Sequence, residues 1–201
     1  MKRLLILLLL ATPMFAAGQV VNYAKTLPVR SFSLGITPSY YIDNESVGLR
    51  SIGVDADQKG AFAVGVSGGY GLQYSLDVNA KIVYVMGGKP FLGADLQYLI
   101  HEARNSYFSV IGGLHYWDNF GVDLTGLFTY SVNYNINVSG GLDLDVNYDP
   151  AMPNKVRTRV WLPVNIGFNV SEYTFLYAEF DLPVSQWSWS IVALGANFIF
   201  R

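Results

Sequence analysis

From about residue 30 onward the chain repeats with a period of two, and that alternation restricts it to β-structure. Over residues 72–86, Leu72, Tyr74, Leu76, Val78, Ala80, Ile82, Tyr84 and Met86 share one side of the register. Gln73, Ser75, Asp77, Asn79 and Lys81 share the other. Successive side chains of a strand point to opposite faces, so this text encodes one apolar and one polar face; helical spacing would scatter the same residues. The pattern returns with Val122, Leu124, Phe128, Tyr130 and Val132 set against Asp123, Thr125, Thr129, Ser131 and Asn133. It returns again with Val156, Val160, Leu162, Val164, Ile166 and Phe168 set against Arg157, Arg159, Asn165 and Asn169. Val192, Leu194, Ala196, Phe198 and Phe200 close the chain in the same way.

Turn-forming residues divide these runs into strands predicted at 30–41, 61–76, 80–87, 90–100, 106–117, 121–133, 136–148, 156–169, 173–182 and 188–200. Residues 77–79, 101–105, 133–137 and 169–172 read as tight turns, and the polar stretch 42–59 as a mobile loop. The count is ten, or eight if the short third strand is miscounted; either even number returns both termini to one side. Pro38 and Pro163 fall inside predicted strands, where neither can donate a ladder hydrogen bond, so each is expected to mark a bulge or a strand end.

Alternation alone does not say which face is wet. A soluble periplasmic barrel holding an apolar ligand would turn the greasy face inward and coat its outside with Lys and Glu. Here the polar face is mostly Ser, Thr, Asn and Gly, and charged residues make up only 14% of the chain, against about 25% in ordinary soluble domains. Aromatics reach 15%. Tyr40, Tyr84, Tyr98, Tyr116, Trp117, Tyr130, Tyr134, Tyr148, Tyr173, Trp187 and Trp189 gather near predicted strand ends, where amphipathic rings form interfacial girdles. The apolar face is therefore read as facing lipid. In hydrocarbon every unpaired backbone group is costly, so the sheet must close. The expected fold is all-β: a closed antiparallel up-and-down transmembrane β-barrel.

The N-terminus supplies the route. Lys2 and Arg3 precede an unbroken apolar run from Leu4 to Ala11, followed by Pro13 and then Ala16, Ala17 and Gly18 before Gln19. This is the layout of a signal peptide over residues 1–18, with cleavage after Gly18 or Ala16, leaving one barrel domain over 19–201. The apolar run is too short to anchor the chain in helical form, which takes about 20 residues. Cysteine is absent, so neither disulfides nor a lipidated cysteine contribute. The net charge of −2 gives no sign of nucleic-acid binding.

The Ala-Ala-Gly-Gln signal end resembles that of small outer-membrane β-barrel proteins of Gram-negative bacteria. So do the hairpin text Tyr74-Ser75-Leu76-Asp77-Val78-Asn79-Ala80-Lys81 and the closing Ala193-Leu194-Gly195-Ala196-Asn197-Phe198-Ile199-Phe200-Arg201. The Gln after the signal is most similar to the Bacteroidetes branch. The resemblance implies an address in the cell outer membrane, contact with outer-membrane lipid, and insertion by the barrel-assembly machinery through an aromatic C-terminus. Here Phe200 is penultimate and Arg201 follows, a departure from that pattern.

Little in the sequence points to chemistry. His115 lies three residues before Asp118, but a general base also needs a nucleophile within reach, and no signature identifies one. A hydrolase centred on His115 is the weakest reading, against a lumen or rim histidine in a hydrogen-bond network. His101 reads as an exposed turn residue. Asp143 and Asp145 could suggest calcium, but alternate positions on a polar face account for them without a metal. No catalytic residue, metal ligand set or cofactor is expected. What is expected is a lumen charge network, with Arg157 and Arg159 facing Asp95, Asp123, Asp143, Asp145, Glu179 and Asp181, because unpaired charge in a poorly hydrated interior is costly. If such pairs fill the barrel it is plugged, with a structural or interaction role. If they line it, a small pore or transport accessory results.

Overall fold

The computed structural model describes residues 23–43, 48–117 and 119–201. The predicted signal segment 1–18 and Asp118 lie outside them. Ten strands run in order: β1 (Phe32–Ile42), β2 (Gly60–Gln73), β3 (Leu76–Val85), β4 (Phe91–Glu102), β5 (Ser106–Trp117), β6 (Asn119–Ser131), β7 (Ile136–Tyr148), β8 (Val156–Ser171), β9 (Thr174–Pro183) and β10 (Ser190–Phe200). Each pairs antiparallel with its neighbour in sequence, and β1 pairs with β10, from Phe32 opposite Phe200 to Ile42 opposite Ser190. The sheet is thereby closed, with no edge strand.

The start of β1 and the end of β10 lie at one end of the barrel. The connections at that end are short: residues 74–75, 103–105, 132–135 and 172–173. Local side chains set two of these turns. Asn133 Oδ1 accepts from the backbone N–H of Asn135 (2.8 Å) and Ile136 (2.9 Å), and Ser171 Oγ accepts from Tyr173 N–H (3.1 Å). Residues 43–59, 86–90, 149–155 and 184–189 make the longer connections at the other end, where β5 and β6 are also joined through residue 118 alone. Short turns on the side of the termini and longer loops opposite match the periplasmic and extracellular ends of outer-membrane barrels, and the two ends are so named below.

Several expectations are corrected. The second hairpin turns at Tyr74 and Ser75, where Gln73 pairs with Leu76, while Asp77 and Asn79 lie in β3. The bulge between Gly71 and Gln73 and the inward demand of Asp77 set this register. His101 and Glu102 end β4 rather than forming the turn. Neither Pro38 nor Pro163 makes a bulge or ends a strand. Pro38 pairs with Val64 of β2, and the β1–β10 ladder skips only Thr37 and Pro38 before resuming in the same register. Pro163 pairs with Asp181 while the β7–β8 ladder skips locally. Each ring is accommodated because only one of its two neighbouring ladders is interrupted. The stretch 42–59 is also more than a loop: Leu49–Ile52 forms a 3₁₀ turn whose Leu49 and Ile52 are buried.

The faces sort as the alternation predicts. Leu34, Ile82, Leu96, Leu124, Leu142, Ile166 and Leu194, drawn from seven strands, all point outward and are exposed, while Asp, Asn, Ser and Thr of the same strands are buried inside. No helix among the described residues is long and apolar enough to cross a membrane; the strands do so. Tyr40, Tyr84, Tyr98, Tyr116, Tyr130, Tyr134, Tyr148 and Tyr173 belong to the outer surface, as a girdle requires. Trp117 and Trp189 do not: both are buried in the lumen, Trp117 turned inward by its parity in β5 and Trp189 carried in by the connection that precedes β10. Leu124 is 53% exposed at the middle of β6. Leu124→Lys should cost about 2–4 kcal/mol in denaturant unfolding from phospholipid vesicles, whereas on a soluble barrel the same change would stay within about 0.5 kcal/mol.

Candidate functional site

The lumen is layered from one end to the other. At the extracellular end Tyr41, Phe91, Trp117, Trp161 and Trp189 pack with Leu49, Ile52 and Ile191 into an apolar cluster. Trp189 is the hub, with ring centroids 5.3 Å from Trp117, 5.5 Å from Trp161 and 5.8 Å from Tyr41. The indoles are also held by their polar ends: Trp161 Nε1–H donates to Trp189 O (2.9 Å) and Trp117 Nε1–H to Lys89 O (3.0 Å). Arg159 lies beneath, its guanidinium 5.6 Å from the Trp117 ring centroid and 5.4 Å from that of Trp189. Its Nη2–H donates to Ser51 Oγ (3.0 Å), which ties the 3₁₀ turn into the barrel mouth.

The middle layer is acidic. Asp95, Asp123, Asp143, Asp145, Glu179 and Asp181 are all buried, with Lys81, Arg159 and His115 among them. Lys81 Nζ is 3.2 Å from Asp95 Oδ2, and Asn79 Nδ2–H donates to Asp95 Oδ1 (3.0 Å). Thr125 Oγ1–H donates to Asp143 Oδ1 (2.5 Å). His115 Nδ1 lies 2.5 Å from Asp123 Oδ1 and Nε2 lies 2.6 Å from Asn147 Oδ1. Its ring crosses over Gly121, the residue paired with both His115 and Asn147; a Cβ there would collide with Nε2. Glycine at 121 is thus required by the close approach of the ring.

The periplasmic end is entered by the chain itself. Residues 23–31 run into the mouth, where Ala24 is fully buried. Ala24 N–H donates to Thr129 Oγ1 (3.1 Å), Gln97 Nε2–H to Tyr23 O (2.7 Å), Leu27 N–H to Asp77 Oδ2 (2.6 Å), and Ser109 Oγ–H to Ala24 O. Burial pushes the Tyr23 phenol above its ordinary value, so it stays protonated and donates to Asn137 Oδ1 (3.2 Å). Around this strap remains a cavity of about 700 Å³ lined by Asp77, Asn79, Gln97, Phe175 and Asn197 among others.

Of the residues expected to form a lumen charge network, Asp95, Asp123, Asp143, Asp145, Arg159, Glu179 and Asp181 all face inward and are buried. Arg157 does not join them. It sits at the extracellular rim, ion-paired with Asp149 and 4.7 Å over the Trp187 ring. Sequence reading missed Lys81 and Asp77, both inward; the parity Asp77, Asn79, Lys81 was the available signal, obscured by placing a turn there. His115 meets Asp123 and Asn147, and Asp118 lies outside the described residues.

No family model matches the sequence, and no curated protein matches it either. Solved structures do resemble the fold. An outer membrane channel of the COG4313 group from Pseudomonas putida F1 aligns over 90% of this chain and 100% of its own, at 11% identity and a TM-score of 0.55. The NanC porin aligns over 82% and 98% at 11% identity and 0.54. The KdgM porin aligns over 84% and 99% at 10% identity and 0.50. This likeness establishes the fold, that of outer-membrane β-barrels. The location rests on the chain's own side chains: a closed antiparallel barrel greasy all round and polar within is built for the outer membrane.

Lys81 is ion-paired within the acidic layer, to Asp95. Lys81→Met should leave Asp95 buried without its counter-charge and destabilise the barrel by roughly 3–5 kcal/mol, read from the urea midpoint in vesicles.

Proposed function

We propose that this chain is a non-catalytic outer-membrane barrel held closed, with a structural or interaction role in the envelope. One observation carries the reading: the extracellular mouth is filled by Trp117, Trp161 and Trp189 together with Leu49 and Ile52, all almost wholly buried. Close apolar packing of these side chains supports a layer without a hydrated path. The absence of turnover is supported by the surroundings of His115, which meets a carboxylate and an amide rather than a hydroxyl nucleophile. Residues 1–18 act in this reading as the export signal. The barrel-assembly machinery then inserts the chain from the β10 end, at Phe200 and Arg201.

A second reading, a small pore that opens when the plug moves, is favoured by the 700 Å³ periplasmic cavity. That the similar solved structures are a channel and porins points the same way. Planar-bilayer recording separates the two. The closed reading expects no conductance steps from the wild type, and steps from a Trp117→Ala/Trp189→Ala variant whose plug has been hollowed. Steady stepwise conductance from the wild type at low voltage would replace it with the pore.

A further inference from the structure

The acidic layer carries far more negative than positive groups. Among the described residues, seven carboxyl side chains (Asp77, Asp95, Asp123, Asp143, Asp145, Glu179 and Asp181) are buried in the lumen with Lys81 and Arg159 as the buried permanent cations. A divalent cation would redress that balance where the carboxylates crowd most closely around a nitrogen ligand.

We propose that His115, Asp123 and Asp145 form a lumenal binding site for a divalent transition-metal ion of the zinc type. One ligand atom from each of the three lies within 4.8 Å of the others. Three neighbouring strands supply them. Asp123 of β6 faces Asp145 of β7 in register, and His115 of β5 reaches them diagonally across Gly121. One imidazole nitrogen with two carboxylates is a donor set that suits Zn²⁺, and the separation in sequence hides it from any spacing motif.

Two further observations point to a cation there. Asp145 is fully buried beside the Asp123 carboxyl, and neither of its oxygens accepts a hydrogen bond from a nitrogen or hydroxyl donor among the described residues. Arg159 faces Asp145 in register from β8 but forms no hydrogen bond with it, and a buried carboxylate in that condition is strongly disfavoured without a closer positive partner. The second is the orientation of the histidine. Nε2–H donates to the Asn147 oxygen (2.6 Å), so a neutral ring turns its Nδ1 lone pair toward Asp123 Oδ1, 2.5 Å away. Two acceptors meeting at that distance need a positive charge between them. Donation of the outer ring N–H to Asn147 is the arrangement by which proteins fix the tautomer of a metal-ligating histidine. Around an ion with bonds of about 2.0–2.1 Å the nitrogen and oxygen would separate to roughly 3.3 Å in a tetrahedral shell.

The test uses the full-length untagged mature barrel, refolded in detergent, stripped with chelator and then offered Zn²⁺ alone. Elemental analysis after gel filtration should find about one Zn²⁺ per barrel, with a higher melting temperature than the stripped protein. His115→Gln and Asp145→Asn should lose both effects, and Asn147→Ala should weaken binding by roughly 10–100-fold. Wild-type barrel that is folded, as shown by its circular dichroism, yet retains no Zn²⁺ would overturn the proposal: a proton then occupies the place between His115 and Asp123. Equal binding by wild type and Asp145→Asn would overturn it too. Because bilayer conductance is not the readout, the result is independent of whether the lumen conducts.

Discussion

The pairing of β1 with β10 is the interaction on which the rest depends. In hydrocarbon a sheet edge leaves a row of N–H and C=O groups without partners, each costing several kcal/mol. Closing the ring removes every edge, and the in-register ladder from Phe32–Phe200 to Ile42–Ser190 does so with the chain's two extreme strands. Closure in turn fixes parity. Once the ring is shut, each alternate residue is committed either to lipid or to a narrow interior, and a slip of one residue in any strand would exchange the two.

The interior follows from that commitment. Polar side chains excluded from lipid are forced together, and their charges have to be neutralised within a space too small for bulk water. The barrel uses several means at different depths. Lys81 pairs with Asp95, Arg159 lies against Trp117 and Trp189, and the N-terminal strap brings backbone N–H groups to Asp77 and Thr129. The same crowding explains the glycine at 121 beneath the His115 ring and the one at 195 beneath Tyr177. Toward the extracellular mouth, aromatic volume takes over from charge.

The outer half of this design was legible in the sequence because it depends on a period of two, which needs no knowledge of neighbours. The runs through Leu124, Leu162 and Leu194 placed their strands within a few residues and put the correct side chains outward. The inner half was legible only in part. Parity identified Asp123, Asp145 and Arg159 as inward-facing, but partners across a barrel are set by register between strands. Hence His115 was considered with nearby Asp118, while its contacts are Asp123 and Asn147, the latter 32 residues away. Trp117 and Trp189 read as girdle residues because aromatic type alone does not distinguish a lipid interface from an apolar plug. Leu49 and Ile52 sit in a stretch without periodicity, so their insertion into the mouth left no trace in the pattern.

The central claim is a closed, membrane-embedded barrel with its apolar face outward. Electrophoretic mobility in detergent, with boiled and unboiled samples of envelope fractions compared side by side, tests it most directly. A closed barrel keeps its compact form unboiled and shifts in mobility on boiling, and it is recovered with outer membranes. Recovery in the soluble periplasmic fraction with no shift would contradict the account, since the outward apolar face would then be exposed to water.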